Sequence, residues 1–282
     1  MIGFLNIYKP SGMTSTAVVS KIKKQFNIKK IGHMGTLDPL ACGILPIAIG
    51  KATRLFDYSL NKVKRYNVVY EFGYLTDTND SEGQVVERTS QIPTIEEIEN
   101  TIKSFVGKSM QIPPKFSANH VDGKRAYDLA RSGVEFELKA KPIEIFEFKL
   151  LEKINDASFK FTIVCSSGTY IRSVGRDLAE KLNSLCTMTS LERSENGYFT
   201  LSNSVALDKL LGSSLEDYLI SPIQVFPNFD IIKINDIQTK NLVDGKKLNQ
   251  NVEKSSFVVN GDKIIGVVKP NSFLKLDTYL GD

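Results

Sequence analysis

The sequence predicts an α+β protein: a large mixed sheet, mostly antiparallel, with flanking helices, and then a small C-terminal β domain. Three observations predict it. Apolar runs of strand length recur at Gly3 to Tyr8, Gly43 to Gly50, Tyr66 to Gly73, Ile143 to Leu150 and Phe159 to Val164. Between them lie segments whose apolar residues fall at helical spacing. Beyond Asp208 the character shifts, and Asp230 to Leu280 breaks into short alternating runs such as DIIKI and KIIGVV.

In chain order, the Gly3 to Tyr8 strand ends in the turn Lys9-Pro10-Ser11-Gly12. Thr14 or Ser15 caps a helix with Val18, Val19, Ile22 and Phe26 on its inner face. Lys21, Lys23 and Lys24, with Lys29 and Lys30 beyond, form a basic face; singly these are solvated lysines, and as a group they can meet phosphates. Ile31 to Pro39 reads IGHMGTLDP, with two glycines that permit sharp turns and an Asp locked before a Pro. After the 43–50 strand, Lys51 to Ser59 reads as a short helix, and Lys64-Arg65-Tyr66 opens a half-buried strand. Thr76 to Gly83 is a polar turn region and Gln84 to Arg88 its return strand. Thr94 caps a helix through Phe105, stopped by Gly107.

Ile112 to Lys139 is polar, basic and punctuated by Pro and Gly; it reads as a long surface loop with one short helix, Lys124 to Arg131. After the 143–150 and 159–164 strands, Ser166 to Tyr170 turns into a helix, Ile171 to Leu182, with Arg172 near its start. Leu191 to Phe199 reads as a strand pair or turn. The tail reads as all-β, and Pro222 and Pro227 put the boundary near 225–230, giving domains 1–228 and 229–282.

Composition narrows the function classes. Over 282 residues, 41% hydrophobic and 24% charged content is that of an ordinary soluble protein. A net charge of +4 permits nucleic-acid binding without establishing it. Cys42, Cys165 and Cys186 form no CxxC pair and fit reduced cytoplasmic thiols. No signal peptide is evident, and no apolar run approaches the roughly 20 residues that span a bilayer. His33 and His120 are too few for a histidine-based metal site.

Asp38 is the candidate centre of chemistry. A bare Asp-Pro turn accounts for the tripeptide by itself. A metal or acid/base role wants a second carboxylate or a His at a known spacing, and only His33 is local. A nucleophilic carboxylate wants a cation beside it and an aromatic to pack a planar substrate, which Arg172 and Tyr66 can supply if the fold brings them together.

These residues fall in a pattern. In order come Lys9-Pro10-x-Gly-x-Thr-Ser15, Gly32-His33-x-Gly-Thr-Leu-Asp38-Pro39-x-Ala-x-Gly43, Lys64-x-Tyr66 with Gly73 and Thr76-Asp77-Thr78-x-Asp80, Pro113-Pro114-x-x-Ser-Ala118 with Gly123-Lys124-x-Ala-Tyr127, and Gly168-Thr-Tyr-Ile-Arg172. The chain resembles the TruB family of bacterial tRNA pseudouridine-55 synthases. The resemblance implies that Asp38 is the catalytic aspartate, that Tyr66 stacks on the uracil and is the candidate for proton abstraction, and that Arg172 pairs with the aspartate. It implies that Leu191 lines the pocket, that Lys9 and Pro10 pack beneath it, and that His33 contacts the RNA beside a flipped nucleotide. Tyr170 and Lys124 join the expected substrate contacts, and 112–139 becomes a loop that grips the T stem-loop of tRNA. The tail is similar to a shortened RNA-binding module of the PUA type. No cofactor, metal, membrane or protein partner is implied, and a monomer is expected. The alternatives are a synthase of the same chemistry on another RNA, or a non-catalytic tRNA-folding chaperone. Three positions depart from the family: His120 where Lys is common, Glu192 where Arg is usual, expected to remove a positive charge near the site, and Cys42 where Thr is frequent, expected as a small buried thiol.

Overall fold

The computed structural model describes residues 1–59, 63–117, 120–121 and 123–281. Ala118 of the matched stretch and the side chain of His120 lie outside the described residues. The apolar run GFLNIYK forms β1 (Gly3–Lys9), and α1 (Ser15–Gln25) follows with Thr14 as its cap, the hydroxyl accepting from Ala17 N at 3.0 Å. The α1 lysines and Lys29 and Lys30 are exposed. β2 (Ile31–His33) and β3 (Cys42–Ile49) pair antiparallel, and β3 also pairs with β1. A 3-10 helix over Gly50–Ser59 stands where the sequence reads as a short helix.

β4 (Lys64–Phe72) alternates inward and outward, and β5 (Tyr74–Thr76) and β6 (Val85–Arg88) make a side hairpin. α2 (Ile95–Ile102) starts in a capping box between Thr94 and Glu97. Gly107 does more than stop it: β7 (Gly107–Gln111) begins there, a strand the sequence reading lacked. Within the 112–139 excursion, β8 (His120–Val121) and β9 (Lys124–Arg125) pair before α3 (Ala126–Arg131), so the first two residues expected in a helix are strand. β10 (Lys141–Lys153), β11 (Ser158–Cys165) and α4 (Ile171–Lys181) follow the expected positions. The 191–199 segment is the expected strand pair, with its first strand longer than read: Leu191 lies inside β12 (Cys186–Asn196), and β13 (Phe199–Thr200) returns beside its end. β14 (Val205–Ala206), α5 (Leu207–Leu211) and α6 (Pro222–Val225) close this part.

Among the described residues, ten strands form one sheet in the order β14-β1-β3-β12-β4-β11-β10-β7, with β2 and β13 at its side. Its pairs are antiparallel except β1 with β14 and β12 with β3. Both faces of its β1–β3 end are covered, which is why those strands read as unbroken apolar runs. Leu5, Ile7, Leu45 and Ile47 point to one core with Val18 and Ile22 of α1, while Phe4, Ile44 and Ala48 point to a second core.

The tail forms its own sheet from β15 (Asp230–Lys233), β16 (Ser256–Asn260), β17 (Lys263–Val268) and β18 (Thr278–Tyr279). It is not all-β: α7 (Asp236–Val243) crosses it, with Asn235 as cap and Leu242 buried. Ile234, Leu242, Val258, Val268 and Leu274 make a core of their own. Phe257, Val267 and Leu280 instead join the second core with Phe4, Phe199 and Phe226.

Candidate active site

Asp38 projects from the loop between β2 and β3. Of the two glycines expected to turn this loop, only Gly35 does so, at φ +117°; Gly32 lies within β2 against the Phe56 ring. Ser15, at the start of α1, pins the loop: its hydroxyl accepts from Leu37 N at 2.8 Å and donates to Leu37 O at 2.9 Å. Lys9, fully buried, donates to the carbonyls of Pro10, Met13 and Pro39. Burial pulls its ammonium down to about 8, against the neighbouring Cys42 and Asp38 groups, which favour the charged form. Lys9 thus ties the Pro39 carbonyl to the turn after β1, while Pro10 is exposed and contributes its carbonyl to Lys9.

Arg172 stands in the first turn of α4. Tyr70, on β4, fixes that turn by donating its hydroxyl to Ile171 O at 2.6 Å, and its ring packs on Gly175, where a Cβ would come within 2.5 Å. The Arg172 guanidinium meets Asp38 bidentately, Nε to Oδ2 at 2.9 Å and Nη2 to Oδ1 at 3.1 Å. Side-by-side pairing of this kind fixes orientation as well as charge. Nη1 donates to Thr78 O and lies 3.5 Å from Asp80 Oδ2, and Nη2 donates to Phe116 O. Arg172 and Asp80 are almost wholly buried, whereas the Asp38 side chain keeps 29% of its surface open. The carboxylate that faces the cavity is therefore Asp38.

That cavity, of about 810 Å³, is lined by Asp38, Tyr66, Tyr170, Arg172 and Leu191, with Lys64 and Asp80. Five sequence-predicted residues, from β4, β12, α4 and the β2–β3 loop, are brought to one place. Tyr66 is buried; burial raises its phenol above the usual tyrosine range, and the Arg193 guanidinium bonded to it opposes that. Lys9, Pro10, His33 and Lys124 are not on the wall. His33 is half-buried in β2, its Nδ1 without a partner among the described residues, and burial followed by the Arg193 charge lowers its pKa. Lys124 is exposed on β9.

Two expectations need correcting. Glu192 follows Leu191 on β12 and so points to the opposite face, where it accepts from Tyr8 at 3.0 Å and Asn67 at 3.3 Å; its charge is turned away from the cavity. Cys42 is half-buried rather than enclosed, with the Tyr8 hydroxyl 3.4 Å from its sulfur. Sequence reasoning also missed Asp80, whose carboxylate is held by Thr78 Oγ1 at 2.6 Å and Glu82 N at 3.1 Å. The signal was present in Thr76-Asp77-Thr78-x-Asp80, but that stretch reads as turn chemistry. Arg193 was missed as well: it is fully buried, donating to the carbonyls of Ile44, Thr36 and Gly35. Among the described residues, no group of three or more His, Cys, Asp or Glu side chains is placed to hold a metal ion, and no helix is long and apolar enough to cross a membrane.

Solved structures share this fold. A solved Cbf5-Nop10-Gar1 complex superposes with TM-score 0.69, at 23% identity, over 98% of this chain and 79% of the other. An H/ACA RNP bound to a substrate RNA containing 2'-deoxyuridine gives TM-score 0.71, at 20% identity, over 98% and 84%. The profile of the TruB family pseudouridylate synthase N-terminal domain matches residues 23–171. A Clostridium novyi (strain NT) protein named tRNA pseudouridine synthase B is 41% identical over 99% of this chain and 100% of its own length. A namesake from Ehrlichia ruminantium (strain Gardel) is 44% identical over 74% of this chain and 71% of its own. The chain belongs to the TruB family of pseudouridylate synthases, and is an isomerase of that family.

Proposed function

We propose that this protein converts uridine 55 in the T-loop of tRNA to pseudouridine, with Asp38 as the catalytic carboxylate and without a cofactor. The observation that carries the reading is the bidentate Asp38–Arg172 pair on the wall of a cavity that also presents Tyr66 and Leu191. The names of the relatives support tRNA as the substrate.

The reaction breaks the N1–C1′ bond, forms a C5–C1′ bond, and moves the C5 proton off carbon while N1 gains one. A base inside a folded loop must first leave its stack, which costs about a few kcal/mol. Stacking against Tyr66 returns about 1–3 kcal/mol of that. Arg172 balances the Asp38 charge and keeps the carboxylate aimed, while Leu191 and the buried wall exclude water from the open glycosidic bond. Tyr66 enters as a neutral phenol next to the Arg193 guanidinium, a setting in which it can exchange a proton with the base.

The 112–139 segment is the RNA-gripping element in this reading. Phe116 and Tyr127, both lining the cavity, pack edge to face at 6.1 Å, with Arg131 over the Tyr127 ring. We assign residues 1–228 to the chemistry and 229–282 to a second RNA contact, acting as a monomer.

The test is incubation of an unmodified T stem-loop RNA with wild type and Asp38→Asn, reading pseudouridine by nucleoside analysis and binding by filter retention. Wild type forms pseudouridine at the position of uridine 55, and Asp38→Asn binds but forms none. Tight binding by wild type with no product leaves an RNA chaperone instead. Equal product from both removes Asp38 from the mechanism.

A further inference from the structure

Beside Asp38 the cavity wall holds a cationic group that the reaction outlined above does not use. Lys64 lies two residues before Tyr66 on β4, so the two side chains leave the strand on the same face, and both line the cavity. Among the described residues the Lys64 ammonium has no ion pair and no hydrogen bond. Burial, and after it the Arg193 charge, lowers the Lys64 ammonium to about 8. Of the four carboxylates that line the cavity, Asp38 and Asp80 are engaged on Arg172, and Glu82 and Asp128 are exposed and make no ion pair with Lys64.

The open space next to this ammonium is set by Gly35. A Cβ built there would lie 3.6 Å from Lys64 Nζ, 3.7 Å from Arg193 Nη1 and 3.9 Å from Asn196 Nδ2. Arg193 Nη1 already donates to Thr36 O and Asn196 Nδ2 to Met34 O, so both are locked against the loop. Lys64 is the one of the three whose donors are all unspent. A half-buried ammonium with a second positive charge near it and no ion-pair partner among the described residues is unfavourable until an anion arrives. RNA brings one anion per nucleotide into any cavity that accepts its base.

We propose that Lys64, with Arg193 behind it and the side-chain-free face of Gly35 beside it, forms a phosphodiester subsite in the cavity wall, which takes a backbone phosphate next to the nucleotide drawn into the cavity. This rests on the reading of the substrate as an RNA whose uridine enters the cavity. Arg193 sets the field and holds the loop; Lys64 makes the contact. The subsite anchors the flipped nucleotide at its backbone, while Asp38 and Tyr66 act on its base and sugar.

The experiment uses the full chain in the Asp38→Asn background, where binding is read without turnover. Affinity for the T stem-loop RNA is measured between about 50 and 200 mM salt with Lys64, Lys64→Met and Lys64→Arg. Lys64→Met weakens binding about tenfold, as loss of one charge-assisted contact does. It also flattens the slope of log K against log salt by about 0.7–0.9, one released counterion, and Lys64→Arg keeps the slope. A second RNA carries a neutral methylphosphonate at the phosphate 5′ or 3′ of the target uridine. At one of these positions it weakens binding to the Lys64 protein and adds nothing to Lys64→Met. An unchanged slope in Lys64→Met, or equal methylphosphonate losses with and without Lys64, overturns the subsite. If wild type forms no pseudouridine in the same RNA, the functional reading fails and the subsite falls with it. Product formation by wild type together with a flat methylphosphonate result removes the subsite alone.

Discussion

At Asp38 the sequence supplies a carboxylate and the fold decides what surrounds it. Arg172 serves two carboxylates, and because Asp80 is buried while Asp38 is partly open, the pair presents one reactive group to the cavity. Tyr66 is set differently. Burial raises its phenol above the ordinary tyrosine range, against the Arg193 guanidinium, which opposes it. The kcat/KM profile reports free-enzyme ionisations, and burial moves any Tyr66 contribution to its alkaline limb above the ordinary tyrosine range. Tyr66→Phe keeps the stacking face and lowers kcat by about 10²-fold, the size of a lost proton-transfer partner, with the midpoint of the alkaline limb unmoved. A limb that shifts in Tyr66→Phe identifies the phenol as the titrating group and defeats the burial argument. The Asp38–Arg172 contact itself, across a sequence separation of 134, was legible through the family pattern and not through spacing. Asp80 and Arg193 were not legible: one sits in a stretch that looks like a solvated turn, and the other in a run, LERSEN, whose charges suggest surface.

At the scale of elements, strands with two buried faces announced themselves and strands with mixed polarity did not. β1 and β3 read as unbroken apolar runs, while the first half of β12, CTMTS, is polar in composition yet packs at the sheet centre through Cys186 and Met188. The α7 segment, DIQTKNLV, buries only Leu242 and has no apolar stripe from which a helix could be read. α4 matters most for the site, because its first turn carries Arg172 and its fifth residue, Gly175, lies flat on Tyr70. Gly175→Ala gains about 1 kcal/mol of helix propensity but forces a Cβ into the ring, and overpacking of a filled core costs about 1–3 kcal/mol. The helix relieves the clash by lifting its first turns, which moves Arg172 off Asp38. The expected result is a lower melting temperature together with a fall in kcat larger than any rise in KM. A variant that is more stable and fully active shows that α4 has slack where the structure shows contact.

For the molecule as a whole, the question is whether the tail from about 229 hangs on the catalytic part or is built into it. Its composition shift was legible, and its attachment was not, because the residues that join the two are scattered through the chain. Phe4, Phe199, Phe226, Phe229 and Phe257 stack as a chain of rings with centroids 5.2–6.2 Å apart. Tyr58 lies edge-on to Phe229, and Lys51 and Arg54 donate to the carbonyls of Gly281 and Tyr279. The second core of the sheet is therefore closed by tail residues. Phe226, only 5% exposed, is its hinge point. Phe226→Ala removes a ring that touches Phe4, Phe229 and Phe257 and is expected to cost about 3–5 kcal/mol. Because the core is shared, that loss appears as a lower midpoint of one cooperative transition. Calorimetry is expected to give a single unfolding peak in wild type and variant alike, and a chain cut after residue 228 to aggregate, its sheet face open to water. If the tail were only an RNA-binding attachment, the cut chain would stay folded, melt near the wild-type temperature and lose affinity for RNA alone; that outcome would refute the shared core.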